Sequence, residues 1–317
     1  KWHIVKQRIT VIRFSIRECP LRAFDTQCVK THAVHDDGNS RSLTMTAGTG
    51  DITVEDNFGV NAGPIPAVLV IESGGDVKFN GPEATVDVGL LTIGSVTPVG
   101  SVTFDSAVNV TGNVDINTGA LTLEAPLSAG GTVTVTNSGV VDLNAKITSA
   151  GTVHFDDTTT GSISLGADIE TTDVGSAITV DAAPIILVAE VTMTTNDGDI
   201  TLDEVLDDGA VSDRKLILIA GTGAVLVDDN IGVNGGSELD ELDIRTAGNV
   251  HFTGAAATID VNTLNIGSVT PVGNAVEFDA AVNVAGAVDI NTYTLTLDAP
   301  LTTSAGGRVT VTNDDVA

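Results

Sequence analysis

The chemically capable side chains of this protein are few, and carboxylates crowd around them. Residues 42–317 carry His154 and His251, six basic residues (Lys78, Lys146, Arg214, Lys215, Arg245 and Arg308) and 38 acidic ones, so that 6 − 38 leaves a net charge of −32. The most ligand-like run is Asn196-Asp197-Gly198-Asp199-Ile200, which has the spacing of the middle of a calcium loop, with Glu204 placed as a terminal bidentate ligand. Calcium needs oxygen donors at the early positions as well. Met193 and Thr195 stand there, and a thioether is a poor partner for a hard cation. The Gly-Gly-x-Gly-x-Asp nonapeptide of calcium β-rolls is absent. We therefore expect no cofactor and no metal-site residue, with calcium as the alternative, and we take pairs such as Asp156-Asp157, Asp207-Asp208 and Asp228-Asp229 for solvated turns.

Catalytic chemistry fares no better. A polysaccharide lyase needs a cation to stabilise the developing enolate and usually a Lys or Arg base, whereas a glycoside hydrolase needs two carboxylates at a set separation. The six basic residues are scattered, carboxylates are too abundant for any pair to be informative, and aromatic platforms for sugars are lacking. No catalytic or cofactor-binding residue is expected, and a carbohydrate-active enzyme is kept only as the alternative. His154 and His251 lie in matching contexts, Val153-His154-Phe155 and Val250-His251-Phe252, four repeats apart. That is about 20 Å along a stack of strands, too far to share a metal, so both read as surface histidines. Thr132, Thr134 and Thr136, echoed by Thr310 and Thr312, hint at an ice-binding array, but successive repeats do not carry it on.

The elements that position these groups come from repetition. Gly48-Thr49-Gly50 through Asp56-Asn57-Phe58-Gly59-Val60-Asn61 returns, little changed, as Gly221 to Asn234, an offset of 173. Ile93-Gly94-Ser95-Val96-Thr97-Pro98-Val99-Gly100 returns unchanged as Ile266 to Gly273, and Val114-Asp115-Ile116-Asn117-Thr118 returns as Val288 to Thr292. The long unit spans 48–220, and its second copy, 221–317, is incomplete. There is no initiator Met and no recognisable signal peptide, and both ends read as those of a fragment.

Within the long unit, Gly-x-[Val/Ile]-x-[aliphatic/Phe] starts recur about every two dozen positions, as at Gly50, Gly75, Gly100, Gly198, Gly223 and Gly248. After each start the apolar residues alternate: Ile52 and Val54, Val77 and Phe79, Val102 and Phe104, Val153 and Phe155, Val250 and Phe252. Period 2 puts these on one face of a strand and Thr53, Lys78, Thr103, His154 and His251 on the other. Three short strands and three turns fill roughly 20–25 residues, one coil of a parallel β-helix. No coil can bury its aliphatic side alone, but neighbours ~4.8 Å above and below close a shared core worth about 25 cal/mol per Å² of apolar surface. We therefore expect an all-β, right-handed parallel β-helix (β-solenoid) over residues 42–317, of about eleven coils and roughly 50 Å. Glycines at strand starts are expected to supply positive φ at corners, and the Asn of Asp-Asn-x-Gly-Val-Asn to stack as amides. A string of β-sandwiches would call for hairpin turns and a Trp or Tyr core, yet residues 42–317 hold no Trp and only Tyr293.

Residues 1–41 stand apart as a non-repeat basic leader or cap, with 8 basic residues (Lys1, Lys6, Arg8, Arg13, Arg17, Arg22, Lys30 and Arg41) against 4 acidic. Ile12, Phe14 and Ile16 there read as one amphipathic strand, and Cys19 and Cys28 as either a small disulfide loop or two free thiols. The acidic body repels phosphates, which excludes nucleic acid as a partner. No apolar run reaches the ~18 residues of a membrane span.

The Gly-x-Val-x-Phe coils, the Leu-Thr-Leu-x-Ala segments (Leu121 to Ala125, Leu295 to Ala299) and the Ser-Ala-Gly-Gly turns resemble filamentous-haemagglutinin-type and giant repetitive bacterial adhesins over roughly residues 42–317. The resemblance implies a right-handed β-helix shaft, export across an outer membrane, and adhesion, biofilm or surface-architecture roles. On that footing we expect a non-catalytic structural or adhesive segment at the cell surface. Its expected partners are further coils of the same or other chains, and host or matrix surface ligands.

Overall fold

The structure, a computed structural model, describes residues 14–15, 29–31, 42–55, 57–59, 68–81, 85–158, 161–181, 183–207, 214–232, 239–254, 258–304 and 306–313. Cys19, Cys28, Ile12, Ile16, Asp56, Asp208, the closing Asn61 and Asn234 of the repeated motif, and the leader's basic residues other than Lys30 lie outside these. Among the described residues there are strands and turns and no helix, hence none long and apolar enough to cross a membrane. The strands stack as a parallel β-solenoid of about 11 coils. Two compact units divide the chain at Ser149 and Ala150, inside the first copy of the long repeat.

In the first unit, one face runs through Ile52–Val54, Asp76–Phe79, Val99–Phe104, the second half of Val114–Leu123, and Val140–Leu143. Its register sets Ile52 under Val77, Val102, Leu121 and Val141. The first two of these steps are longer than the last two, because the later coils have shorter turns. All of them fall close to the expected coil of roughly 20–25 residues. The other two faces follow from Ser42–Thr46 through Val68–Ser73 and Leu91–Ile93, and from Thr85–Val88 through Ala107–Val110 and Leu127–Ala129. From the leader, Val29–Thr31 pairs parallel to Ile52–Val54, and Phe14–Ser15 pairs antiparallel to Val29–Thr31.

The second unit is built alike. One face sets Val153 beneath Ile178, Ile200, Val225, Val250, Val276 and Leu295. All ten alternating apolar residues named above are buried, and Thr53, Lys78, Thr103, His154 and His251 turn outward as period 2 requires. Phenylalanines meet where two follow each other in a column: Phe79 and Phe104 stack with centroids 5.0 Å apart, and Phe252 and Phe278 do so at 4.9 Å.

Glycine serves these coils differently from expectation. Positive φ belongs to turn residues such as Gly59 and Gly232 or Gly94 and Gly267, each pair being equivalent positions of the two repeat copies. Of the strand-start glycines, only Gly175 has it. Gly75, Gly198 and Gly223 instead lack a Cβ because the backbone of the preceding coil occupies its place. At Gly75 that atom would lie 2.8 Å from the Thr49 carbonyl, and at Gly198 it would fall on the carbonyl of Ser176.

Candidate functional site

Outside the core, chemistry is confined to side chains that project from strands or stand at corners, where each faces its counterparts ~4.8 Å away on neighbouring coils. Several of these side-chain oxygens are engaged by the backbone of the next coil. The N–H of Asp76 donates to Asp51 Oδ1 at 3.0 Å, that of Thr132 to Asn113 Oδ1 at 3.0 Å, and that of Thr192 to Asp168 Oδ1 at 2.8 Å. Asn57 and Asn230, the equivalent asparagines of the repeated motif, accept from the N–H of Thr85 and of Thr258, each at 2.9 Å. These asparagines thus tie one coil to the next through backbone hydrogen bonds, in place of the amide stack expected from sequence.

The calcium-like run is explained by the same device. Asp197 Oδ1 accepts from Thr222 N–H at 2.8 Å, and Asp199 Oδ1 accepts from Ala224 N–H at 2.7 Å. Asp197 takes a left-handed backbone (φ 62), a conformation that Asp tolerates better than most residues. Glu204 points elsewhere, accepting from the Asn230 amide at 3.4 Å. Burial pushes the Glu204 carboxyl above its usual range, the Asn230 hydrogen bond lowers it, and nearby Asp229 and Asp203 push it further up. Met193 is fully buried. The acids of this run serve the next coil's backbone and do not converge on one point.

Five of the six basic residues of 42–317 are occupied as well. Lys78 pairs with Asp105 at 2.9 Å, Lys215 with Glu241 at 2.5 Å, and Arg245 with Asp243 at 2.9 Å, while Arg214 donates to the Leu187 carbonyl at 2.9 Å. The Lys215 ammonium is held above its usual range by its hydrogen bond to Glu241 and by that residue's charge. Lys146 has a partner of its own, and Arg308 is exposed. The threonine array is interrupted, because the neighbours of Thr134 and Thr136 on the preceding coil are Asp115 and Asn117.

The two histidines sit among acids. The register His154, Thr179, Thr201, Leu226, His251 runs along a single outward column of the second unit, so the two are four coils apart, as the sequence spacing requires. Each has a carboxylate from the coil above. His154 Nε2 lies 2.9 Å from Asp181 Oδ2, and His251 Nε2 lies 3.1 Å from Asp279 Oδ2. At His251 a second acid, Glu277, is the direct cross-strand neighbour, with Oε2 3.9 Å from Nε2. Ligand atoms of His251, Glu277 and Asp279 all lie within 4.8 Å of one another. Among the described residues this is the one group of three such side chains close enough to hold a metal ion. Sequence reasoning passed over Glu277 and Asp279. The signal was there in the alignment of the Gly248 and Gly273 strand starts, but the extra residue after Gly273 shifts the register by one and conceals that Glu277 faces His251.

No family model, curated protein or solved structure matched the chain when each was searched.

Proposed function

We propose that this chain is a structural or adhesive shaft segment of a large extracellular surface protein, or of a self-assembling extracellular fibre, and that it works without catalysis. The observation that carries this reading is the sameness of the coils. Inward positions repeat Val, Ile, Leu and Phe in register, and outward positions repeat Thr, Asn and Asp whose polar atoms bind neighbouring coils. A carbohydrate enzyme would need an available cation, whereas Lys78, Lys215 and Arg245 are each held by a carboxylate.

Further coils, of the same or another chain, are the proposed partners. The strand Val309–Asn313 leaves Val309 and Val311 46% exposed, an apolar strip of the kind that a further coil covers. Host or matrix ligands would meet the acidic outer faces. Negative-stain imaging of the purified chain tests assembly, filaments longer than one chain favouring a fibre and separate particles favouring a shaft. Turnover of a polysaccharide that disappears in Lys78→Ala or Arg245→Ala would sink the non-catalytic reading.

A further inference from the structure

The equivalent of His251 in the first repeat copy is Lys78, and the two places differ in charge. In the first copy, Lys78 faces Thr103 across the strands and pairs with Asp105 on the same coil as Thr103. One cation there meets one carboxylate, with Glu124 on the following coil where the second copy has Asp298. In the second copy the three places hold His251, Glu277 and Asp279. Where the first copy has a lysine, a threonine and one carboxylate, the second thus has a histidine and two carboxylates. The column around them supplies no cation, since the flanking outward residues are Leu226 on the coil before and Thr296 on the coil after. The neighbours of Asp279 are Thr253 and Asp298, and the Thr253 hydroxyl donates to Asp228 at 2.7 Å.

We propose that His251, Glu277 and Asp279 bind one divalent transition-metal ion of the zinc class, which clamps two successive coils. The charge of the ion equals the two carboxylate charges it would balance, taking the part that the Lys78 ammonium plays in the other copy. The donor set of one imidazole nitrogen and two carboxylate oxygens suits borderline metals such as zinc and disfavours calcium and magnesium, which take oxygen almost exclusively. Bonds of about 2.0–2.2 Å place tetrahedral ligand atoms roughly 3.3–3.6 Å apart. The 3.1 and 3.9 Å separations already bracket that spacing. The three side chains are 36%, 43% and 32% exposed, so rotamer changes bring the remaining pair together without disturbing the core. Water completes the coordination from the solvent side. His251 lies on one coil and both acids on the next, so binding is linked to coil pairing.

The chain contains its own negative control. His154 has the same aspartate partner, Asp181, but Thr179 stands where Glu277 stands at the other site. Two donors hold a metal far less well than three, so His154 is expected to contribute no site.

The test is titration of the whole chain with zinc chloride by isothermal calorimetry, with cobalt(II) visible absorption as a second readout. Wild type is expected to bind one equivalent more than His251→Ala. Glu277→Thr, which installs the residue found at both Thr103 and Thr179, is expected to weaken that equivalent at least tenfold. His154→Ala should match wild type. Histidines and cysteines of the leader are present in every variant and cancel in the difference. Equal stoichiometry and affinity for wild type and His251→Ala would overturn the proposal. So would wild-type affinity in Glu277→Thr, or loss of the same equivalent in His154→Ala.

Discussion

The two copies of the long repeat differ in an instructive way. Their interiors match: Phe79 over Phe104 in the first copy is Phe252 over Phe278 in the second, and Asn57 binding Thr85 becomes Asn230 binding Thr258. Their outer surfaces do not, since Lys78 with Thr103 and Asp105 is answered by His251 with Glu277 and Asp279. Interior positions are fixed by close packing, where a change of one methylene is felt, and by backbone groups that must be satisfied. Outward positions meet only solvent and two neighbours, so charge and ligand type are free to vary there. Any function particular to one coil must therefore be sought on the outside.

Burial offers a second contrast. Leu123 is buried in the first copy, whereas its equivalent Leu297 is 45% exposed. The residue type is the same, and what differs is whether another coil covers it. Leu123→Ala is expected to cost about 2–5 kcal/mol, and Leu297→Ala less than about 1 kcal/mol. Because stacked repeats need not unfold in one step, hydrogen exchange at the flanking strands is the appropriate measure. Equal costs at the two positions would break the comparison.

The outer surfaces can be exchanged. Lys78→His with Thr103→Glu rebuilds in the first copy the triad of the second, and is expected to add one zinc equivalent in calorimetry. His251→Lys makes the opposite exchange, with the new ammonium beside Asp279 and a stability change within about 1 kcal/mol, as for other exposed ion pairs.

The smallest expected effect concerns pH. Burial raises the carboxyls of Glu204 and Asp260 above their ordinary values of 4.5 and 3.8. The folded chain therefore holds these protons more tightly than the unfolded chain does. Their stabilising contribution is complete below the ordinary values and is lost as pH rises through the raised ones. Melting curves across that window should show wild type losing slightly more stability on alkalinisation than Glu204→Gln with Asp260→Asn, by an amount within about 0.5 kcal/mol. A steeper loss in the double variant would contradict the assignment.

Much of the fold was legible in the chain itself. Alternation at period 2 told which residues of each strand face inward. The regular return of the glycine-led strand starts told that strands from successive coils must stack, because no coil buries its aliphatic side alone. The spacing of His154 and His251 even fixed their shared column. What the pattern could not give was the meaning of each glycine and asparagine. Gly198 reads the same whether its backbone needs positive φ or its Cβ position is taken by Ser176, and Asn57 reads the same whether its amide stacks on another or binds Thr85. Nor could it assemble His251, Glu277 and Asp279, which stand on successive coils with one extra residue between the strand starts. Periodicity is a local property of a chain, so sequence alone carries it. Contact between coils depends on register, which shifts by a whole residue with each inserted one and is fixed only when the strands hydrogen-bond to one another.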